Sequence, residues 1–108
     1  MIVIGTIKFP ETSANEVAEC YKNLPAMPDF ITIDGTYVYN NSGEIFRAFS
    51  IFNFDEKYLE DANAYFKARY EAFGKVKDLT FNHEEWLSVQ DALSIVEAGT
   101  YDLDLKTV

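Results

Sequence analysis

The chain has 108 residues, of which 48% are hydrophobic and 16% aromatic, so it is long enough for one domain with a core and too apolar to be disordered. Its 18 acidic and 9 basic residues give a net charge of −9, which disfavours nucleic acid and anionic membranes as partners. The single cysteine and single histidine exclude an intrachain disulfide, a thiolate zinc cluster and a multi-histidine metal site. The longest apolar runs have the length of a strand, so we expect no membrane span and a cytoplasmic location. We also expect no metal and no cofactor.

The N-terminal residues predict a strand followed by a helix. Residues 1–9, MIVIGTIKF, are rich in β-branched side chains and predict the first strand, in which Gly5 marks a bulge or a close backbone approach. Ser13 and Glu16 have the spacing of a capping box and predict the start of a helix. The predicted buried face of this helix consists of Ala14, Val17, Ala18, Tyr21 and Leu24.

A β-hairpin is the strongest local signal in the chain. Two runs rich in β-branched and aromatic residues flank residues 40–43, a cluster that tolerates positive φ. A turn on Asn41 and Ser42 pairs Tyr39 with Glu44, whereas a bulge in the cluster shifts the register by one and exchanges the two faces. Both faces of the hairpin are apolar in either register. One face therefore packs on helices, and the other needs a second cover.

A second helix follows the hairpin. Asp55 is a suitable N-cap and Gly74 a suitable left-handed C-cap for it. The predicted buried stripe of this helix consists of Leu59, Ala62, Tyr65 or Phe66, Arg69 or Tyr70, and Phe73.

The C-terminal residues predict a strand and a third helix. Residues 75–81 alternate charged and apolar side chains, which is typical of a half-exposed strand. Asn82, with Glu85 at the capping-box position, then predicts the start of the third helix. The predicted buried face of that helix consists of Trp86, Val89, Leu93 and Val96.

This order is βαββαβ followed by an extra helix, which is the arrangement of a ferredoxin-like α+β fold with an antiparallel sheet and helices on one face. We expect one domain over residues 1–99 and a tail at residues 100–108 that could form an edge strand or bind a partner. Because soluble monomers seldom leave large apolar patches exposed, the uncovered sheet face predicts a homodimer closed into an α/β barrel.

Several segments carry a resemblance to a known superfamily. The start MIVIGTIKFP, the proline pair at residues 25 and 28, and the hairpin GTYVYNNSGEIFRAFSIF are similar to small uncharacterised members of the dimeric α/β-barrel superfamily, which includes antibiotic-biosynthesis-type monooxygenases. The resemblance covers residues 1–96 and implies a ferredoxin-like dimer with a pocket in each subunit, between sheet and helices or inside the barrel. Asn53, His83 and Trp86 supply the residue types, though not the spacing, of superfamily members that degrade haem.

Two groups of residues are candidates for chemistry. His83 is the only side chain that titrates naturally near neutrality, so it is a candidate catalytic residue; the alternative is an exposed histidine at a helix start, beside a core tryptophan. Asp34 and Arg47 are predicted on neighbouring strands, where they form either an anchor for an anionic or carbonyl-bearing ligand or a register-fixing ion pair at a dimer seam. The candidate ligand-binding residues are Asp34, Thr36, Tyr37, Arg47 and Trp86.

The sequence leaves three functions open. The first is a dimeric domain that binds a small apolar or anionic molecule and has no assignable chemistry. The second is a cofactor-free monooxygenase or isomerase, or a haem-handling enzyme, in which His83 or the pair of Asp34 and Arg47 acts on the substrate. The third is a structural interaction module whose tail binds a partner. Nucleotide-binding, metalloprotease and serine-hydrolase motifs are absent, so catalysis stays an open question.

Overall fold

The structure is a computed structural model that describes residues 1–41 and 43–98. Along these residues the elements follow the order β1 (Ile2–Pro10), α1 (Ala14–Lys22), β2 (Thr32–Asn41), β3 (Ile45–Asn53), α2 (Leu59–Glu71), β4 (Thr80–Trp86) and α3 (Val89–Glu97). All neighbouring strands are antiparallel, and their order in the sheet is β2-β3-β1-β4. The predicted ferredoxin-like α+β fold with an extra C-terminal helix is therefore confirmed. The predictions for Ser42 and for the tail at residues 100–108 lie outside the described residues.

The core lies between one face of the sheet and the helices α1 and α2. Phe52 and Phe66 have no exposed surface, and their ring centroids are 4.9 Å apart. Burying a side chain of this size stabilises the fold by about 1.5–3 kcal/mol relative to leaving it exposed. The predicted stripe of α2 is confirmed, because its buried residues include Ala62, Tyr65, Phe66, Arg69 and Tyr70.

Gly5 allows the ring of Tyr70 to lie directly against β1. A Cβ atom at Gly5 would overlap the Tyr70 hydroxyl and would lie 2.6 Å from the ring carbon Cζ. A close backbone approach at this glycine is therefore confirmed.

The hairpin register differs from the predicted one. Tyr39 pairs with Arg47, three positions beyond the predicted partner Glu44. The turn is wider than predicted: Gly43 has a φ of 77°, and its amide donates a hydrogen bond to Asn40 Oδ1 at 2.7 Å. Because the shift is an odd number of residues, it changes which β3 side chains share a face with each β2 side chain.

The fourth strand lies later in the chain than predicted. It spans Thr80–Trp86 and pairs with β1 from Lys8 to Ile2, so the prediction of a strand at residues 75–81 is wrong in its bounds. Asn82 does not begin a helix, because residues 80–86 pair with β1 as a strand, on the side of β1 opposite β3. The third helix begins after Ser88, whose side chain accepts a hydrogen bond from the Asp91 amide at 3.1 Å.

Two further helix signals have other roles in the structure. Ser13 does not cap α1; its hydroxyl donates to the carbonyl oxygen of Lys77 at 3.0 Å and joins the start of α1 to the loop before β4. Gly74 does not adopt a left-handed conformation, whereas Asp78 does, with a φ of 62°. Asp55 is confirmed as a cap, since its side chain accepts from the Lys57 amide at 3.0 Å, at the 3-10 turn that leads into α2.

The predicted buried face of α3 is wrong in the described chain. Trp86 belongs to β4 and is 53% exposed, and Val89 on α3 is 75% exposed. Leu93 is also exposed. These side chains therefore do not belong to the core.

Candidate functional site

The face of the sheet that points away from α1 and α2, here termed the open face, carries aromatic and aliphatic side chains. Tyr37 and Phe49 pair across β2 and β3 with ring centroids 5.2 Å apart, and both are at least 40% exposed. By strand alternation the same face carries Ile2, Ile4, Tyr39, Ile45, Ile51 and Trp86. A shallow depression of about 760 Å³ lies on this face beside Lys8 and Arg47.

The predicted ion pair between Asp34 and Arg47 is not formed. Arg47 lies opposite Tyr39, with its guanidinium 5.4 Å from the ring centroid. Asp34 lies in β2 at the register irregularity between Ile33 and Gly35, several positions along the strand from Tyr39, the residue that pairs with Arg47. Within residues 1–41 and 43–98 the structure contains one ion pair, between Lys22 Nζ and Glu19 Oε1 at 3.5 Å.

The other candidate residues are divided between the two faces. Tyr37 and Trp86 lie on the open face, whereas Thr36 lies on the helix side and shares a 2.8 Å hydrogen bond with the Ser50 hydroxyl. The six residues proposed from the sequence therefore do not form one site.

His83 lies in β4 and not in the first turn of a helix. Its ring stacks on Tyr70, with the centroids 5.9 Å apart and the planes 7° from parallel, and lies 5.8 Å from Phe66. Asn53 and Trp86 flank Ile2 on the open face. Because His83 is on the opposite face, the structure does not bring together the histidine, tryptophan and asparagine that the haem comparison used.

A cleft of about 500 Å³ lies between α1, the C-terminal part of α2 and the helix side of β2 and β3. Apolar side chains dominate its walls: Val17 and Ala18 come from α1, Val38 from β2, and Phe46 and Ala48 from β3. Because β2 is the edge strand and Val38 is 64% exposed, the cleft opens at the edge of the sheet.

Arg69 is a charged side chain buried in this cleft. Only 6% of its surface is exposed, and one guanidinium nitrogen donates to the Tyr65 hydroxyl at 3.2 Å. The guanidinium carbon lies 5.1 Å from the centroid of the Phe52 ring. Within residues 1–41 and 43–98, the buried Nε atom has no hydrogen-bond partner. Most buried polar atoms in proteins are satisfied, so this donor is an exception that needs an explanation.

Hydroxyl groups complete the polar part of the cleft. Ser50 is 6% exposed and is held by its hydrogen bond to Thr36, and both residues line the cleft. Burial raises the pKa of the Tyr70 phenol above its ordinary value of 10.0, and the positive charge of Arg69 and a hydrogen bond from its side chain oppose that rise. Tyr70 is therefore a neutral hydroxyl at physiological pH. Among the described residues that line the cleft, Arg69 is the one buried cation, and hydroxyl and apolar groups surround it.

The sequence indicated Arg69 only as a member of the buried stripe of α2. The signal for a site was an arginine within an otherwise apolar helical stripe. The sheet residues that face Arg69 could not be predicted, because the hairpin side chains that point toward the helices depend on the strand register, which the sequence left open.

Over residues 1–41 and 43–98, no three histidine, cysteine or acidic side chains come close enough together to hold a metal ion. In the same residues no helix has the length and apolar character needed to cross a membrane.

No protein-family model matches the chain, and a search of curated proteins gives no match. Among solved structures it is similar to a formyltetrahydrofolate deformylase from Pseudomonas putida KT2440, with 12% identity over 92% of this chain and a TM-score of 0.49. The chain spans 39% of the length of that deformylase.

Two smaller solved structures are similar along most of their length. The designed protein Ferredog-Diesel is 15% identical, with 79% of this chain and 85% of that chain covered and a TM-score of 0.42. A DUF3240 family protein from Shewanella baltica OS155 is 9% identical, with 81% and 91% covered and a TM-score of 0.38. These likenesses concern the fold alone. None of them relates the chain to the monooxygenases, so that resemblance stays a prediction.

Proposed function

We propose that this protein is a binding domain that takes up a small molecule in the cleft between α1 and the sheet. The observation that carries the proposal is the cleft itself. Its volume of about 500 Å³ falls within the usual range of ligand pockets, and apolar walls around a few polar groups are the usual composition of such pockets. A cleft of this size is too large to be a packing defect of a close-packed core.

The cleft can be blocked without disturbing the core. Ala18 lines it from the exposed side of α1, so the change Ala18→Trp adds a large side chain to the cleft and leaves the buried face of the helix intact. A matched control is Glu16→Trp, which places the same side chain on an exposed position of α1 outside the cleft.

The assay is thermal shift and calorimetry with small aliphatic and aromatic alcohols and acids. We expect some of these probes to stabilise the parent and Glu16→Trp proteins and to lose at least tenfold in affinity for Ala18→Trp. A parent protein that binds none of the probes, or an Ala18→Trp protein that binds them as well as the parent does, would contradict the proposal.

We also propose that two chains associate through their open faces. Contiguous exposed apolar side chains such as Tyr37 and Phe49 favour an interface. The open face carries Lys8 and Arg47 against Glu84, so it is nearly neutral although the chain as a whole has a charge of −9. Two copies of this acidic protein therefore meet least electrostatic repulsion when these faces approach each other.

Light scattering coupled to size-exclusion chromatography tests the association. We expect a dimer for the parent and a monomer for Phe49→Asp, which places a charge in the middle of the open face. Asn15→Asp adds the same charge at an exposed position of α1 and should stay dimeric. A parent that is monomeric at micromolar concentration refutes this proposal and leaves the binding proposal untouched.

The enzymatic alternative has no supporting observation in the site. His83 does not line the cleft and packs among aromatic rings, and the predicted pair of Asp34 and Arg47 is not formed. The interaction-module alternative depends on the tail, which lies outside the described residues.

A further inference from the structure

Among the residues that the structure describes, Arg69 is a cation buried without an anion. The described residues place no carboxylate within 4.0 Å of it, and its Nε–H has no acceptor. Arginine side chains stay protonated in proteins, so Arg69 cannot avoid its charge by losing a proton. The guanidinium makes cation–π contacts with Phe52 and Tyr21. It also interacts with the hydroxyl groups of Tyr65 and Tyr70. These neutral groups supply no negative charge, so they compensate only part of the lost hydration.

We infer that the cleft binds a monocarboxylate with an apolar body and that Arg69 binds the carboxylate group. This inference rests on the proposed binding function and adds the class of ligand. A carboxylate would supply the missing negative charge, and a guanidinium can donate two parallel hydrogen bonds to it.

The rest of the cleft selects against more highly charged ligands. Lys22, the other cation on the lining, is paired with Glu19 and has 71% of its side chain exposed, so Arg69 is the buried charge of the cleft. A phosphate ester carries more negative charge than one guanidinium balances, whereas a carboxylate matches it. The apolar walls formed by residues such as Val17, Phe46 and Ala48 then accommodate an alkyl or aryl body.

The arrangement also accounts for the position of the hydroxyl groups. Ser50 and Tyr70 line the same cleft and can donate to a carboxylate oxygen that Arg69 leaves free. A buried carboxylate with several donors is the condition under which an ion pair in a protein interior is favourable.

The test compares ligands that differ in charge and little else. The probes are octanoate with 1-octanol, and 3-phenylpropionate with 3-phenylpropanol, titrated by calorimetry against the full chain. For the parent we expect at least tenfold tighter binding of an acid than of its matched alcohol. Arg69→Met removes the charge and keeps much of the side-chain volume, so it should abolish this preference and retain binding of the alcohol.

Two variants serve as controls. Arg47→Met removes an arginine from the open face, outside the cleft, and should leave the preference unchanged. Arg69→Lys keeps the charge but not the planar guanidinium, so it should bind the acids with a reduced preference.

Stability without ligand separates a binding role from a structural one. If Arg69 serves ligand binding and not folding, unliganded Arg69→Met should have a melting temperature at least as high as that of the parent, because a buried methionine needs no counter-charge. A large fall in its melting temperature would indicate that Arg69 holds the fold together, and would overturn the inference.

The outcomes distinguish the two levels of the proposal. If neither acids nor alcohols bind, the binding function itself is wrong. If alcohols bind as tightly as acids, or if Arg69→Met keeps the preference, the function survives and the role of Arg69 is wrong. Asp102 and Asp104 lie outside the described residues. If the double variant Asp102→Asn/Asp104→Asn binds octanoate at least tenfold more tightly than the parent, the chain supplies its own counter-ion to Arg69. That result would also refute the inference.

Discussion

Replacing Gly5 with alanine should force the ring of Tyr70 away from β1. The added Cβ atom would overlap the Tyr70 hydroxyl and lie 2.6 Å from Cζ and 3.2 Å from Cε2. Tyr70 is 3% exposed and stacks on both Phe81 and His83, so its ring has little room to retreat. The strain therefore spreads to β4 and to the wall of the cleft.

The expected cost follows from two opposing effects. Overpacking a well-packed core costs about 1–3 kcal/mol, and replacing glycine by alanine inside a strand returns about 0.5–1 kcal/mol. The net loss in the free energy of unfolding for Gly5→Ala is then about 1–2 kcal/mol. For a domain of this size, that lowers the melting temperature by about 5–15 °C.

A double-mutant cycle identifies the cause. Tyr70→Phe removes the atom closest to the new Cβ but leaves Cζ in place, so it should restore part of the stability of Gly5→Ala, with a coupling of about 0.5 kcal/mol or more. Gly74→Ala is the matched control, since its Cβ would meet the Glu71 carbonyl and not Tyr70. Additive effects of Gly5→Ala and Tyr70→Phe in urea unfolding would refute the packing argument.

Two further predictions concern single groups. Burial raises the pKa of Tyr70 in the folded state, so the unfolded chain loses the phenol proton at a lower pH than the folded protein does. The contribution of the neutral Tyr70 to the free energy of unfolding is therefore complete below pH 10 and is lost as the pH rises through the folded pKa. In urea unfolding, the free energy of unfolding of Tyr70→Phe should fall less steeply above pH 10 than that of the parent. Ser13→Ala leaves the Lys77 carbonyl without its donor and should cost about 1–2 kcal/mol, whereas Thr12→Ala, at an exposed neighbouring position, should cost much less in the same titration. Equal losses for these two variants would contradict a role for the Ser13 hydrogen bond.

The order of the elements could be predicted from the sequence because most of the signals were local. The β-branched start, the stripe of α2 and the Asp55 cap depend on residues a few positions apart, and each one is confirmed. Gly5 could be recognised as unusual in the same way, although its partner Tyr70 could not be.

The errors arose where distant parts of the chain compete with local patterns. Asn82 and Glu85 form a capping box by spacing, yet pairing with β1 places both residues in a strand. In the hairpin, two apolar faces gave no preference between registers, so the side chains that share a face could not be assigned. The pair of Asp34 and Arg47 depended on that assignment and was wrong for this reason.

The position of the cleft at the outer strand has a consequence for ligand exchange. A molecule can reach the cleft past Val38 and Thr36 on β2 without the separation of any helix from the sheet. Loading and release would then be governed by diffusion and by the strength of the contacts, not by a slow opening of the protein. If the proposed ligand binds there, its occupancy would follow the free ligand concentration without delay.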